Sequence, residues 1–314
     1  LTEFALGEIA SQGGKLVVMT SWTVDGGSGP DDFAVFIMSS GEVIVYQGSD
    51  PGDAADWALV GRYAVPTPLD IRGIEKLGGD IVLLTDTDVV LLPAAFNRAT
   101  PEPSKLTGAM KLAGPTYRAN TGWEATFYRR KSMLILNIPI SATEFEQYVM
   151  NVDTGAPARF IDINARTWGI FDSDLYFGGI DGIVYQADSG TDDAGTNINC
   201  DGKQAWSDLG STGIKQVNAV RYVFSGTTGL DAGGDIGYDF TDPVISRSVT
   251  TGGSGTPWGS AWGSAWGATQ SVIQDWTLVA GSGQLISPQV SIGVQDETPA
   301  WYRTDFMIAE GFSI

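Results

Sequence analysis

The side chains with catalytic potential in this sequence are carboxylates. Asp25, Asp31 and Asp32 flank a glycine-rich turn, and Asp174, Asp181 and Asp188 punctuate a later stretch. Two carboxylates held across a sugar are the machinery of glycosidic hydrolysis. These aspartates, however, sit where turns between strands are expected, and there an Asp side chain bonds its own backbone. They therefore read as turn residues, and the Ser-x-Asp-x-Gly-x-Thr-Trp box of sialidases is absent. Thr191, Asp192, Asp193 and Asn197 offer oxygen ligands of the kind Ca²⁺ takes. The EF-hand spacing and its closing bidentate Glu are missing, so neither a metal nor any other cofactor is expected. Residues 26–29 (GGSG) lack the Lys-Ser/Thr of a phosphate loop. Histidine is absent altogether, which removes Ser-His-Asp and Cys-His nucleophiles, HExxH zinc sites and histidine pH switches. Cys200 stands alone and reads as a small, partly buried residue. No enzymatic activity and no catalytic residue is expected.

One motif stands apart. Trp258, Trp262 and Trp266 recur every four residues in PWGSAWGSAWG. Glycine at every turn argues against a helical stripe, and an extended segment that presses successive indoles onto a neighbour fits better. Two readings stand: an inter-subunit or sugar-stacking ladder, and an intramolecular staple over the C-terminal sheet. The three tryptophans are carried forward as candidate interface residues.

The elements that must position these residues are strands. Residues 15–24, 33–38, 42–47 and 57–64 are short β-rich runs, the middle two joined by Ser39-Ser40-Gly41, a hairpin signal. IVLLT and VVLL follow on either side of Asp86-Thr87-Asp88. Runs at 122–130, 132–138, 147–152, 158–162, 167–171, 175–178 and 183–187 complete the first part. Two echoes mark a repeat: Gly13-Gly14-Lys15-Leu16-Val17 against Gly78-Gly79-Asp80-Ile81-Val82, and GEVIVYQ against DGIVYQ. Small antiparallel meanders repeating every few tens of residues are the signature of propeller blades. About four such units precede residue 190, so the ring is either incomplete or followed by a different β domain. Helix is expected only as single turns, at 93–98, 104–113 and 141–147, the last with Ser141 and Glu144 as a capping box.

Composition shifts near residue 189. We read 1–190 as β-propeller-like blades and 191–215 as a loop or linker. Residues 216–314 then form a C-terminal sandwich-like β domain with the Trp repeat as an excursion. The whole is an all-β chain. At 314 residues it can bury a sizeable core without disulfides or metals. Asp and Glu number 37 against 18 Lys and Arg, a net charge of −19, which argues against nucleic-acid readers and polybasic membrane binders. No run approaches the ~18 uninterrupted apolar residues that a membrane span needs.

Several of these segments together resemble a known family. TSWTVDGGSGPDDFAVFIMSSGEVIVYQG at 20–48, Gly48 to Pro51, Trp57 to Gly61, Asp153-Thr154-Gly155-Ala156 through Trp168, and LYFGGIDGIVY at 175–185 are among them. The Trp-repeat tract and the closing Thr304 to Gly311 complete the set. In this order they resemble the tail tubular or nozzle proteins of short-tailed phages and prophages, also described as packaged-DNA stabilisation proteins. Members are longer, with additional β structure before the position of Leu1. The resemblance implies a structural virion protein of the tail: a propeller-containing subunit forming a cyclic homo-oligomer, six-fold by the resemblance. It implies as partners an adaptor or head-to-tail connector, tail fibres or other tail proteins, and duplex DNA that passes without specific binding. No catalytic residue comes with it. The acidic balance agrees, because a carboxylate-lined channel would not hold phosphate. The alternative is a glycan-binding or glycan-cleaving propeller, secreted or receptor-binding, working through exposed Trp and carboxylates.

Overall fold

The computed structural model describes residues 4–25, 30–53, 55–92, 107–193, 195–226, 230–249, 271–273, 276–295 and 298–310. Trp258, Trp262 and Trp266 lie outside these residues. The chain is all-β in character and divides into two compact units, Leu1–Asp188 and Ser189–Ile314.

In the first unit the described strands form four small antiparallel meanders, each in chain order. Sheet one is β1 (Leu16–Asp25), β2 (Pro30–Met38), β3 (Glu42–Gln47) and β4 (Ala58–Ala64). Sheet two is β5 (Ile74–Leu77), β6 (Asp80–Leu84) and β7 (Val89–Leu91). Sheet three is β8 (Glu124–Tyr128), β9 (Met133–Pro139), β10 (Phe145–Asn151) and β11 (Pro157–Phe160). Sheet four is β12 (Ala165–Phe171), β13 (Asp174–Gly179) and β14 (Val184–Ala187). These are the propeller-like units expected from the repeat.

The packing explains why the central strands read as unbroken apolar runs. In β3, Val43 and Val45 face sheet two while Ile44 and Tyr46 face the other way. In β6, Ile81 and Leu83 face sheet one, and Val82 and Leu84 face sheet three. In β9, Leu134, Leu136 and Ile138 pack on sheet two, and Ile135 packs on sheet four. A strand buried on both faces has no polar phase to alternate with. The outer face of sheet one is covered by the chain's own N-terminal segment, with Phe4, Leu6 and Ile9 on Phe36, Met38, Ile44 and Tyr46. That segment includes α1 (Leu6–Ile9), which sequence patterning does not reveal. Glu42, 1% exposed, pins it by accepting from Ser11 N (3.1 Å), Ser11 Oγ (2.8 Å) and Gln12 N (2.8 Å). Burial alone would raise the Glu42 carboxyl, but these three donors, with the charge of Arg62, outweigh it and hold it below its ordinary value.

Turn chemistry follows the sequence at Ser39-Ser40-Gly41. Gly41 has φ +84°, and a Cβ there would stand 2.2 Å from the Val65 carbonyl oxygen. Three expectations are corrected. Helix is not confined to single turns: α2 (Thr107–Tyr117) runs eleven residues. Its Met110 and Ala113 are buried in the core between sheets two and three, and tertiary packing overrides weak local propensity. Gly114 lets it lie against the turn at Asp86, where a Cβ would be 2.1 Å from a carbonyl oxygen. The capping box at 141–147 caps nothing. The Ser141 hydroxyl accepts from Thr143 N in a bend, and the chain enters β10 at Phe145, whose buried ring favours the sheet. Residues 198–203, read as loop, form a strand.

That strand, β15 (Ile198–Lys203), belongs to the second unit. There β15 pairs with β21 (Ile286–Val294), which pairs with β17 (Asp231–Tyr238), which pairs with β18 (Ser248–Val249). The facing sheet is built on β16 (Lys215–Gly226). β19 (Ser271–Ile273) and β20 (Trp276–Gly283) lie on one side of it and β22 (Ala300–Glu310) on the other. Val217, Val220, Tyr222 and Phe224 of β16 meet Ile236 of β17 and Ile286, Val290 and Ile292 of β21 in one core, which is a sandwich. β15 looked like loop because it is an exposed polar edge whose backbone, not its side chains, holds it in the sheet.

Lys215 begins β16 and is 2% exposed. Its ammonium donates to the carbonyl oxygens of Ser211 (2.5 Å), Gly213 (3.0 Å) and Gln284 (2.9 Å), tying a loop and the β20–β21 turn to the central strand. Lys215→Met keeps the stem and orphans three carbonyls. It is expected to cost ~2–4 kcal/mol of unfolding free energy, read as a lower urea midpoint at unchanged slope. An unchanged midpoint would show that the three bonds contribute nothing net.

Candidate functional site

The first strands of successive sheets are neighbours, as the inner strands of propeller blades are about their axis. Lys76 Nζ of β5 donates to Ser21 Oγ of β1 (2.7 Å), and Trp22 Nε1 of β1 donates to the Gly79 carbonyl (2.8 Å). Ala125 N of β8 donates to the Arg72 carbonyl just before β5 (3.0 Å). Trp168 N of β12 donates to Glu124 Oε2 of β8 (3.0 Å).

Between β5, β8 and β12 lies an open-mouthed cavity of about 420 Å³, lined by Ile74, by the exposed Ile71 and Ile170, and by Arg72, Glu75, Glu124 and Thr126. Glu124 is 8% exposed. Besides Trp168 N it accepts from Arg72 Nη1 (3.2 Å) and Thr167 Oγ1 (3.1 Å). Burial raises its carboxyl above the ordinary value, against the pull of Arg72, the Trp168 N–H and the Thr167 hydroxyl. Glu75 is raised too, again chiefly by burial. Arg129 and the N–H groups of Lys76 and Phe127 oppose the shift, and the charge of Glu124 adds to it. Two carboxyls pushed towards neutrality in one cavity is the pattern of acid–base sites. It is equally the pattern of a buried inter-strand brace, and Glu124, with three donors, is built as one.

Behind the cavity the brace continues. Asn137 of β9 is fully buried. Its Nδ2 donates to Gly122 O (3.2 Å) and Ala165 O (2.9 Å), and its Oδ1 accepts from Gln147 Nε2 (2.9 Å) and Trp168 Nε1 (3.1 Å). One amide thus locks sheet three to sheet four with its full bonding capacity.

The aspartates singled out in the sequence are placed elsewhere. Asp25 ends β1 and Asp31 and Asp32 lie within β2, so they are strand rather than turn residues. There the β1–β2 pairing extends through Asp25↔Pro30. Asp32 accepts from Thr23 Oγ1 (2.6 Å) across that ladder. Asp174 begins β13 and is engaged by Arg130 and Gln186. Asp181 holds a turn by accepting from Ile183 N (3.0 Å) and Tyr185 Oη (2.5 Å). The Tyr185 hydroxyl and the Ile183 N–H keep its carboxyl below the ordinary value. Asp188, at φ +54°, faces Lys131 at 3.7 Å. These groups are spread along separate turns and strand ends. In the 189–197 loop, Asp193 and Thr196 bond each other's backbone. Among the described residues no three His, Cys, Asp or Glu are grouped to hold a metal. Cys200 is exposed on β15 rather than partly buried, because it lies on an edge strand. The Trp-repeat tract falls outside the described residues. Glu75 and Glu124 were not among the sequence candidates. The available signal was a lone acid inside an otherwise apolar strand, as in GWEATF.

Because both glutamates are more readily protonated in the folded chain than in the unfolded one, each binds extra protons on folding. Stability therefore falls as pH rises from the ordinary Glu value through the raised folded one. Glu75→Gln, which cannot ionise, is expected to unfold at a higher temperature than the parent at pH 7–8, with the gap closing towards pH 4. A gap independent of pH would refute the burial argument.

Comparison with known proteins gives the following. No family model matches the chain, and no curated protein matches it. Among solved structures it is similar to a glycoside hydrolase family 43 arabinoxylan arabinofuranohydrolase from Bacillus subtilis, at 11% identity and TM-score 0.24, over 92% of this chain and 78% of that one. A second similarity is to a structure described as a glycoside hydrolase, at 8% identity and TM-score 0.26, over 88% and 84%. A third is to a Bacillus thuringiensis Cry1Da tryptic core variant, at 8% identity and TM-score 0.25, over 95% and 52%. At these scores the likenesses carry no argument about what the chain does.

Proposed function

We propose that the chain is a structural subunit of a phage tail: a ring-forming nozzle subunit that continues the DNA channel and helps retain and then release the genome. The observation that carries this reading is that acids of the first unit fasten its segments to one another. Glu42, Glu124 and Asp174 each accept from two or three donors on other segments. Such an arrangement makes a rigid scaffold. Support comes also from the net charge of −19, which offers phosphate no counterion-release gain, and from the family resemblance of the sequence. In this reading the partners are further copies of the chain, an adaptor and other tail proteins, and the location is the virion.

Mass photometry with electron-microscope class averages tests it. The expected result is a cyclic particle with an axial hole wide enough for duplex DNA, and no retention of duplex DNA at physiological salt. A monomer at every concentration would overturn it.

One observation favours a second reading, cleavage of a glycan: Glu75 and Glu124 share a cavity and are both raised. There a protonated Glu75 would give its proton to the departing glycosidic oxygen, while an ionised Glu124 would take a proton from the water that attacks the anomeric carbon. If so, the chain hydrolyses chromogenic glycosides and Glu75→Gln lowers the rate at least ~100-fold. No turnover above the variant's would exclude it.

A further inference from the structure

One aromatic side chain of the second unit is held out to solvent by a backbone that disfavours it. β17 ends in a two-residue turn at Asp239-Phe240, where Tyr238 N and Thr241 N each donate to the other's carbonyl oxygen (3.1 and 2.8 Å). Both central residues have positive φ, +46° and +67°, in the turn type that Asn-Gly or Asp-Gly favours. Asp239 tolerates this and anchors the turn, its Oδ1 accepting from Gln284 N and Leu285 N (both 2.9 Å). A bulky residue such as Phe240 is out of place there. Burial does not compensate, because Phe240 is 70% exposed. Strain kept without burial points to a use for the ring.

The ring does not stand alone. The half-buried Trp206 indole lies beside it, with centroids 5.2 Å apart and planes at 50°. The segment carrying Trp206 is bonded to β21 on both sides: Gln204 N donates to Pro288 O and Ser207 N to Ile286 O (each 3.0 Å). Gly237 seats the indole, since a Cβ there would stand 2.8 Å from Trp206 Cη2. Lys203 Nζ lies over the indole, 5.0 Å from the ring centre, and donates to Asp242 Oδ1 (2.5 Å), which also accepts from Gln289 Nε2 (2.6 Å). Both bonds fall on one carboxylate oxygen, and the Asp242 side chain is 56% exposed, so Oδ2 can take a further donor. The result is a fixed aromatic corner, edged by an ammonium and a carboxylate whose charges cancel.

We propose that Phe240, Trp206, Asp242 and Lys203 form a binding site for a neutral pyranose unit of a glycan. A pyranose has an apolar C–H face, which suits an aromatic ring, and a rim of hydroxyls that both donate and accept. With the sugar on Phe240 and against the edge of Trp206, Asp242 Oδ2 accepts from one hydroxyl and Lys203 Nζ donates to another. The paired ammonium and carboxylate give a charged ligand no advantage over a neutral one. The site goes beyond the ring-forming reading and requires neither that reading nor glycan cleavage.

The test uses the full chain, with tryptophan-fluorescence titration and saturation-transfer NMR, and takes cellohexaose, maltohexaose and mannohexaose as probes. At least one is expected to bind at millimolar concentration or below. Phe240→Gly removes the ring and gives the turn the pair it favours. It is therefore expected to unfold at the same or a higher temperature than the parent while binding about tenfold more weakly. A merely structural ring would not combine those two results. Asp242→Ala should weaken binding as well, with the circular dichroism of the parent retained. A parent that binds none of the three hexaoses would overturn the site, and so would binding that Phe240→Gly leaves unchanged. Tighter binding of hexagalacturonate, an acidic sugar, would overturn the neutral ligand class. None of these outcomes depends on whether the chain assembles into a ring.

Discussion

A three- or four-stranded meander has two faces and can bury neither alone, and this constraint organises the first unit. Sheet one covers one side of sheet two, sheet two one side of sheet three, and sheet three one side of sheet four. The first sheet's remaining face is closed by the N-terminal segment. Stability in such a stack is close to a sum of nearest-neighbour interfaces. A small fault is therefore felt locally, and each interface needs its own specifying contact. Apolar packing supplies the energy but is tolerant of sliding. The polar contacts at the seams fix register: Glu42 on Ser11 and Gln12, Glu124 on Arg72 and Trp168, and Asn137 on Gln147, Trp168 and Ala165.

The same seams explain why the cavity carboxyls are shifted. Glu124 must reach from β8 to β12 to accept from Trp168 N, and a group placed there is enclosed by the strands it joins. Desolvation then raises it, and Arg72 repays only part of the cost, as expected of a buried pair. A raised carboxyl is thus a by-product of fastening blades together. The number and kind of donors separate a fastening carboxyl from a catalytic one better than the shift does. Glu124 has an arginine, a hydroxyl and a backbone N–H, which leaves little capacity for a substrate.

How much of this was legible in the sequence follows from which physical terms are local. The strands of sheets one to three were readable because burial on both faces writes unbroken apolar runs such as FAVFIM and SMLILNI. The Ser39-Ser40-Gly41 hairpin was readable because only glycine accepts the Gly41 geometry. α2 was underestimated because its length depends on Met110 and Ala113 finding a core supplied by residues up to Ile138. β15 was missed because an edge strand held by backbone bonds needs no side-chain pattern. Sequence draws the eye to Asp clusters near glycines, whereas environment is what distinguishes Glu75, Glu124 and Glu42, and environment is non-local. Asn137, Gln147 and Lys215 were invisible for the same reason, since a buried polar residue shows itself only through the partners that satisfy it.

Alternation carries one more lesson when it fails. In the first unit, apolar residues on both phases of a strand mean that both sides are covered. In the second unit, β16 shows the same double phase: Val217, Val220, Tyr222 and Phe224 inward, Ala219 and Val223 outward, all buried. The inward set has the other sheet above it. Among the described residues, the outward set neighbours Leu278, Met307 and Trp276 of its own sheet, which are themselves open to solvent. Among the described residues this sheet is packed against on one face, whereas the inner sheets of the first unit are packed against on both.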